Sequence, residues 1–165
     1  MTVDSVRAFL ASHAPDIEIL ETEASTATVE LAAKAHGVQP EQIAKTLSLR
    51  IKDRTLLIVT SGDARLNNRK IKDVLGGKPR MLTADEVVAA TGHPVGGVCP
   101  FGLATELPVY CDLSLKAFDE VVPAAGSTHS ALRISPARMA ELVKAQWIDV
   151  CEAYLPTGSG STSQR

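Results

Sequence analysis

Three stretches of this sequence can do chemistry: a lysine among apolar residues, an apolar glycine-rich loop and a run of basic residues. Lys45 stands in Ile43-Ala44-Lys45-Thr46-Leu47, where a helical turn is predicted to give way to a strand. An ammonium there can enter a cleft as one compact cation and meet a phosphate or a developing oxyanion. Its stem can equally lie along the protein with the charged head in water. The loop is Gly92-His93-Pro94-Val95-Gly96-Gly97-Val98-Cys99-Pro100-Phe101-Gly102, four glycines and two prolines in eleven residues. No helix or regular strand tolerates that composition, yet Val95, Val98, Cys99 and Phe101 make it apolar. Such a loop either turns tightly under a core aromatic or lets a ligand approach peptide N–H groups closely.

His93, Cys99 and His129 invite a nucleophile–base reading. No acidic residue accompanies His93 and Cys99 in their loop, and a catalytic thiolate needs a cation, a helix N-terminus or a paired imidazole to lower its pKa. Cys99 follows a predicted helix C-terminus, the wrong end of the dipole for an anion. No nucleophile elbow, phosphate-binding loop or dinucleotide fingerprint occurs. With no Cys-x-x-Cys or His-x-x-x-His pair, neither a metal nor a cofactor is expected. From Arg65 to Arg80 six basic residues (Arg65, Arg69, Lys70, Lys72, Lys78, Arg80) face one acidic residue, Asp73. This run suits either phosphate binding or the solvated face of an amphipathic helix. No aromatics are interleaved to stack on bases.

Around these stretches the chain must supply a scaffold. Its 165 residues fit one domain. Apolar residues are 45% but aromatics only 4%, so the core is aliphatic. The net charge of −2 argues against a protein that coats nucleic acid electrostatically, while leaving room for a local basic patch. Cys99, Cys111 and Cys151 are odd in number and widely spaced, as reduced thiols in a cytoplasm are. Neither a secretory leader nor an apolar run of membrane-spanning length is expected.

Asp4 or Ser5 caps a predicted helix to about His13, with Val6, Phe9 and Leu10 on one face. Ile17–Leu20 reads as a strand, and a helix from Ser25 or Thr26 stops at Gly37. Pro40 starts a helical turn, Leu47–Ile51 alternates as a half-buried strand, and Leu56–Val59 reads as a central strand covered on both faces. A helix over Asn67–Leu75 and a strand over Arg80–Leu82 follow. Thr83 to Glu86 forms a capping box for a helix ending near Gly92. Val109–Asp112, Val121–Val122, Ala131–Ile134 and Trp147–Val150 are predicted strands, with a helix capped by Ser135-Pro136 between the last two. Residues 1–155 are expected to fold, and 156–165, rich in Gly, Ser and Thr, to be a disordered tail. Strands and helices interleave, but neighbouring strands are too close for helical crossovers throughout. The fold class is therefore α/β in a mixed α+β sense, a compact domain with a central mixed sheet and helices around it.

In order and spacing, Ala44-Lys45-Thr46-Leu47, Leu57-Ile58-Val59, the Gly92–Gly102 loop and Ile134-Ser135-Pro136 resemble the YbaK/ProX family of aminoacyl-tRNA deacylases. That family is related to the editing domain of bacterial prolyl-tRNA synthetases. The resemblance runs from Thr26 to Val150, with Gly96 to Pro100 matching the family's Gly-x-x-x-Pro loop and Lys45 its functional lysine. It implies a mixed sheet or partial barrel within helices. It also implies hydrolysis of the ester of a mischarged aminoacyl-tRNA, of the tRNA(Pro) type, in the cytoplasm. Lys45, Gly96, Gly97, Val98 and Pro100 are then the catalytic elements, with backbone N–H groups around Gly96–Val98 holding the oxyanion and the substrate assisting the water. Met81, Cys99, Phe101 and His129 are expected against the aminoacyl group, Cys99 in the pocket wall, and Arg69, Lys70 and Lys72 against the tRNA. A prolyl-tRNA synthetase is a second implied partner; DNA and membrane are not. The chain departs from the resemblance at Cys99, where YbaK proper has Ser, and in the turn Gly126–His129. A non-catalytic tRNA- or synthetase-binding module and an amino acid sensor remain as alternatives.

Overall fold

The computed structural model describes residues 3–152; the expected boundary at 155 and the tail 156–165 lie outside them. Its centre is the apolar run Leu56-Leu57-Ile58-Val59, all four side chains fully buried. They lie in β3 (Arg54–Ser61), which pairs antiparallel with β2 (Ile43–Ile51) and parallel with β5 (Val109–Asp112). β8 (Gln146–Ile148) adds parallel to β5, β4 (Pro79–Met81) antiparallel to β2, and β6 (Val122–Pro123) parallel to the start of β2. The result is a six-stranded mixed sheet in the order β4-β2-β3-β5-β8, with β6 beside β2. A separate two-stranded ribbon joins β1 (Leu20–Glu21) to β7 (Ser130–Ala131).

Alternation along β3 sends Leu57 and Val59 to one face and Leu56 and Ile58 to the other. The first face is covered by α1 (Val3–His13) and α5 (Pro136–Val143) through Val6, Leu10 and Met139, together with Phe101. The second is covered by α3 (Asn68–Leu75) through Ile71 and Leu75. α2 (Val29–His36) packs Ala32 and Ala33 against Ile43, Val122 and Ala131. Each of the buried Val, Leu, Ile and Met side chains contributes about 1.5–3 kcal/mol, and each alanine less.

The helix ends follow their local chemistry. Thr28 and Asn67 accept from N–H groups of α2 and α3, while Gly37 and Gly76 close them in the left-handed region. α4 (Ala84–Thr91) carries the expected capping box between Thr83 and Glu86 and ends at Gly92, φ +79°. Two expected strands are shorter than the apolar runs suggest. Ile17 and Ile19 pack on the core without pairing, and only Leu20–Glu21 is strand. Of Ala131–Ile134, only Ala131 is in a strand, while Ile134 makes one bridge to Val121.

Candidate functional site

β2 is paired with β3 from Ala44 to Ile51 but only partly on its other side. There β4 covers Leu49–Ile51 and β6 covers Ile43–Ala44. In an antiparallel ladder the peptide groups of alternate residues point to opposite edges. The Ser48 carbonyl accepts from the Leu82 N–H at 3.1 Å, so the even-numbered residues of β2 face away from β3. Thr46 is therefore turned to the uncovered edge, and none of the described residues bonds its N–H or C=O. A cleft of about 280 Å³ opens at this edge. Its walls are Ile43–Ser48, Thr26–Val29, Met81, Leu82, Val87, Val95, Gly96 and Val98, with Val122, Ala124, Ser130 and Ala131 behind.

Lys45 lines this cleft, with its side chain on the face of the sheet that carries α3, the side shared by its cross-strand neighbour Thr60 and by Leu49. Its Nζ donates to the Ala64 carbonyl at 2.7 Å. Desolvation is the main influence on the amine and lowers its pKa, against Asp63 and Glu30, which raise it. A half-buried cation whose hydrogen-bond partner among the described residues is a neutral carbonyl keeps its charge available for an anion.

The glycine loop comes to the same edge from the opposite face. Its first half is a turn in which the Gly97 N–H donates to the Pro94 carbonyl at 2.9 Å. Gly96 has φ +92°, and a Cβ there would sit 3.1 Å from the Cβ of Ala27. At Gly97 a Cβ would come within 2.7 Å of the Ser127 backbone, and the Gly97 carbonyl accepts from the Gly126 N–H at 3.0 Å. The two loops thus lock backbone to backbone. Of the three N–H groups expected to serve an oxyanion, that of Gly97 is spent inside the turn. Those of Gly96 and Val98, both on the cleft, donate to none of the described residues.

The second half of the loop turns inward. Cys99 and Phe101 are wholly buried, Pro100 is buried, and none of them lines the cleft. This corrects the expectation of Cys99 and Phe101 as pocket wall: apolar side chains beside a β-sheet bury more area in the core than at a half-open cleft. The Cys99 sulfur is 3.7 Å from both His93 Nε2 and the Phe101 carbonyl oxygen, and His93 Nε2 is 2.8 Å from that oxygen. Burial pushes the Cys99 thiol up to about 12 and the His93 imidazole down, so both are held neutral. That is the reverse of what a thiolate–imidazolium nucleophile requires.

Of the other expected residues, Met81 lies at the rim of the cleft, 55% exposed. His129 is exposed on the turn beyond it, its Nδ1 3.0 Å from Thr128 Oγ1, and does not line the cleft. Arg69 and Lys72 are exposed on α3. Lys70 is tied down: its Nζ donates to Asp149 Oδ1 at 3.1 Å and to the Cys151 carbonyl at 2.8 Å, fastening α3 to the end of the sheet. Sequence reasoning missed Thr26 and Thr46, whose buried hydroxyls find no partner among the described residues although both line the cleft. No spacing rule marks them; Thr46 is identified by the gap in strand pairing and Thr26 by its buried place on the cleft wall. No carboxylate lines the cleft, and the described residues hold no cluster of three His, Cys, Asp or Glu suited to a metal. Nor is any described helix long and apolar enough to cross a membrane.

Comparison with known proteins places this geometry among relatives. The family profile described as "Aminoacyl-tRNA editing domain" matches residues 23–142. The uncharacterised Bacillus subtilis protein YwhH is 46% identical over 156 residues, 93% of this chain and 99% of its own. The proline–tRNA ligase of Solidesulfovibrio magneticus is 39% identical over 119 residues, 70% of this chain but 20% of the ligase. The chain thus spans about a fifth of that ligase's length. A solved structure described as a candidate trans-editing enzyme for prolyl tRNA synthetase superposes with a TM-score of 0.85 at 34% identity, covering 91% of this chain and 96% of that one.

Proposed function

Since the chain belongs to the aminoacyl-tRNA editing-domain family, we propose that it is a trans-editing deacylase. It hydrolyses the ester of mischarged aminoacyl-tRNA, of the tRNA(Pro) type, at the cleft beside β2. The observation that carries the reading is the meeting, at one strand edge, of a half-buried ammonium and two unbonded peptide N–H groups, with no cysteine or histidine among the described residues that line the cleft. Ester hydrolysis needs little more from a protein. Water adds to the ester carbonyl, the oxyanion is held by N–H donors, and the bond to the ribose oxygen breaks as that oxygen takes a proton. The Gly96 and Val98 N–H groups are the donors, and Lys45 holds the terminal phosphodiester or the ester. The substrate's own 2′-hydroxyl or side chain assists the water in place of a protein base. Arg69 and Lys72 are long-range contacts to tRNA phosphates, and a prolyl-tRNA synthetase is the partner whose errors the protein would correct.

The test is a deacylation panel: tRNA(Pro) and other tRNAs charged with Ala, Cys, Ser or Thr, incubated with the protein. Release of at least one amino acid well above the spontaneous rate is expected. Binding of charged tRNA without release would make the cleft a recognition module, and binding of free amino acid alone, insensitive to salt, a sensor.

A further inference from the structure

Between the stretches covered by β4 and β6, Thr46 turns both its N–H and its C=O toward the uncovered edge with no partner among the described residues, while Ser48 beside it has its carbonyl bonded to Leu82. β4 runs antiparallel along β2 with Arg80 opposite Arg50, and Leu82 then donates to the Ser48 carbonyl. The next rung, two residues on, belongs to Thr46. The uncovered stretch, Lys45–Leu47, is too short to seat a peptide strand, but it is the length of a single residue-sized group.

We propose that the aminoacyl group of the substrate docks on this rung as though it were the next residue of an antiparallel strand. Its amine donates to the Thr46 carbonyl, and its ester carbonyl accepts from the Thr46 N–H. This rests on the deacylase reading and assigns the recognition of the amino acid's common atoms to backbone.

Three observations converge on it. An aminoacyl ester carries a donor and an acceptor in the relation that the N–H and C=O of a strand residue have, so it complements an unpaired antiparallel rung atom for atom. No carboxylate is among the described residues that line the cleft, so the acceptors it offers an amine are backbone carbonyls and hydroxyls. The rung also lies between the other two functional elements. Lys45 projects from the α3 face and Gly96 and Val98 approach from the opposite one, so an ester on Thr46 has the cation to one side and the loop donors to the other. Thr26, only 5% exposed and with an unpartnered hydroxyl, supplies a further polar group on the loop side. The Thr46 N–H then becomes a third donor to the oxyanion, in place of the Gly97 N–H that the turn consumes.

The experiment has a substrate arm and a protein arm. In the first, tRNA carrying alanine is compared with the same tRNA carrying propionate, which is smaller and lacks only the amine, each rate divided by its spontaneous hydrolysis. We expect kcat/KM to fall by about tenfold to a hundredfold for the propionyl ester. In the second, the peptide N–H of Thr46 is replaced by an ester oxygen through semisynthesis or nonsense suppression, with folding checked by circular dichroism. Loss of one oxyanion donor lowers kcat by roughly 10²–10³-fold, with a smaller change in KM. Equal hydrolysis of alanyl and propionyl esters, or a folded backbone variant within threefold of the parent in kcat, would overturn the docking mode and leave the deacylase standing. Should neither ester be hydrolysed, nor any member of the aminoacyl-tRNA panel, the deacylase reading fails and the docking mode with it.

Discussion

The two halves of the Gly92–Gly102 loop are both apolar and both contain glycine, yet they have opposite fates. Val95-Gly96-Gly97-Val98 stands at the mouth of the cleft, Val95 59% exposed, with two peptide N–H groups unbonded. Cys99-Pro100-Phe101-Gly102 is core: Phe101 packs with Leu57, Val59 and Met139, and a Cβ at Gly102 would meet the Ser5 carbonyl oxygen at 2.5 Å. Glycine serves in both halves by close approach, to Ala27 and Ser127 in the first and to α1 in the second. An apolar glycine-rich loop thus says that backbones meet, without saying whether the meeting serves a ligand or the fold. The inner half anchors the outer half, and the outer half stands at the cleft.

Substitutions can break that contrast. The largest effect is expected at Phe101. Phe101→Ala should lower stability by about 3–5 kcal/mol, read as a shift of the denaturant midpoint; a shift of less than ~1 kcal/mol would mean the inner half is not an anchor. Next is Lys45→Ala, which should keep the fold and lose about 2–4 kcal/mol of transition-state stabilisation. Near-parental turnover in the folded variant would remove the lysine from the site.

A smaller effect belongs to His93. Burial holds its folded pKa below the ordinary 6.5, so below that pH the unfolded chain binds a proton that the folded one refuses. Stability is therefore full above about pH 6.5 and falls as the pH drops. His93→Gln should flatten the melting temperature's dependence between pH 7 and 5, leaving the part due to His36, which burial shifts the same way. A slope unchanged by the substitution would contradict this. Neutralising Arg69 and Lys72 should raise KM for charged tRNA, with a shallower salt dependence and little change in kcat. An unchanged KM at every salt concentration would place the tRNA elsewhere. The smallest effect is expected for Cys99→Ser, within about twofold in activity. Its thiol is in the core and 0% exposed, so the ranking of amino acid substrates should not change. An acyl-enzyme trapped on Cys99 would refute this outright.

Much of the scaffold was legible in the residues. The capping box at Thr83, the stops at Gly37, Gly76 and Gly92, and the continuous apolar run of β3 are local signals, and each is present where the sequence puts it. The pairing of Ile17–Leu20 and Ala131–Ile134 was not legible, because it depends on which partner strand reaches them. The site divides the same way. Lys45 and the glycine loop stand out by type, whereas Thr46 matters through a gap between β4 and β6 that only the assembled sheet creates. Lys70 looks like its basic neighbours in sequence, and only the fold brings Asp149 to it.

The central claim is that the aminoacyl end of the substrate sits on the uncovered edge of β2, between Lys45 and the outer half of the loop. The most direct measurement is an amide chemical-shift titration of the protein with a non-hydrolysable 3′-aminoacylamino-3′-deoxyadenosine. The largest perturbations are expected on Thr46, Gly96 and Val98, with Cys99 and Phe101 moving little. Saturable shifts centred on α3 or on the His129 turn, with Thr46 and Gly96 unmoved, would contradict it.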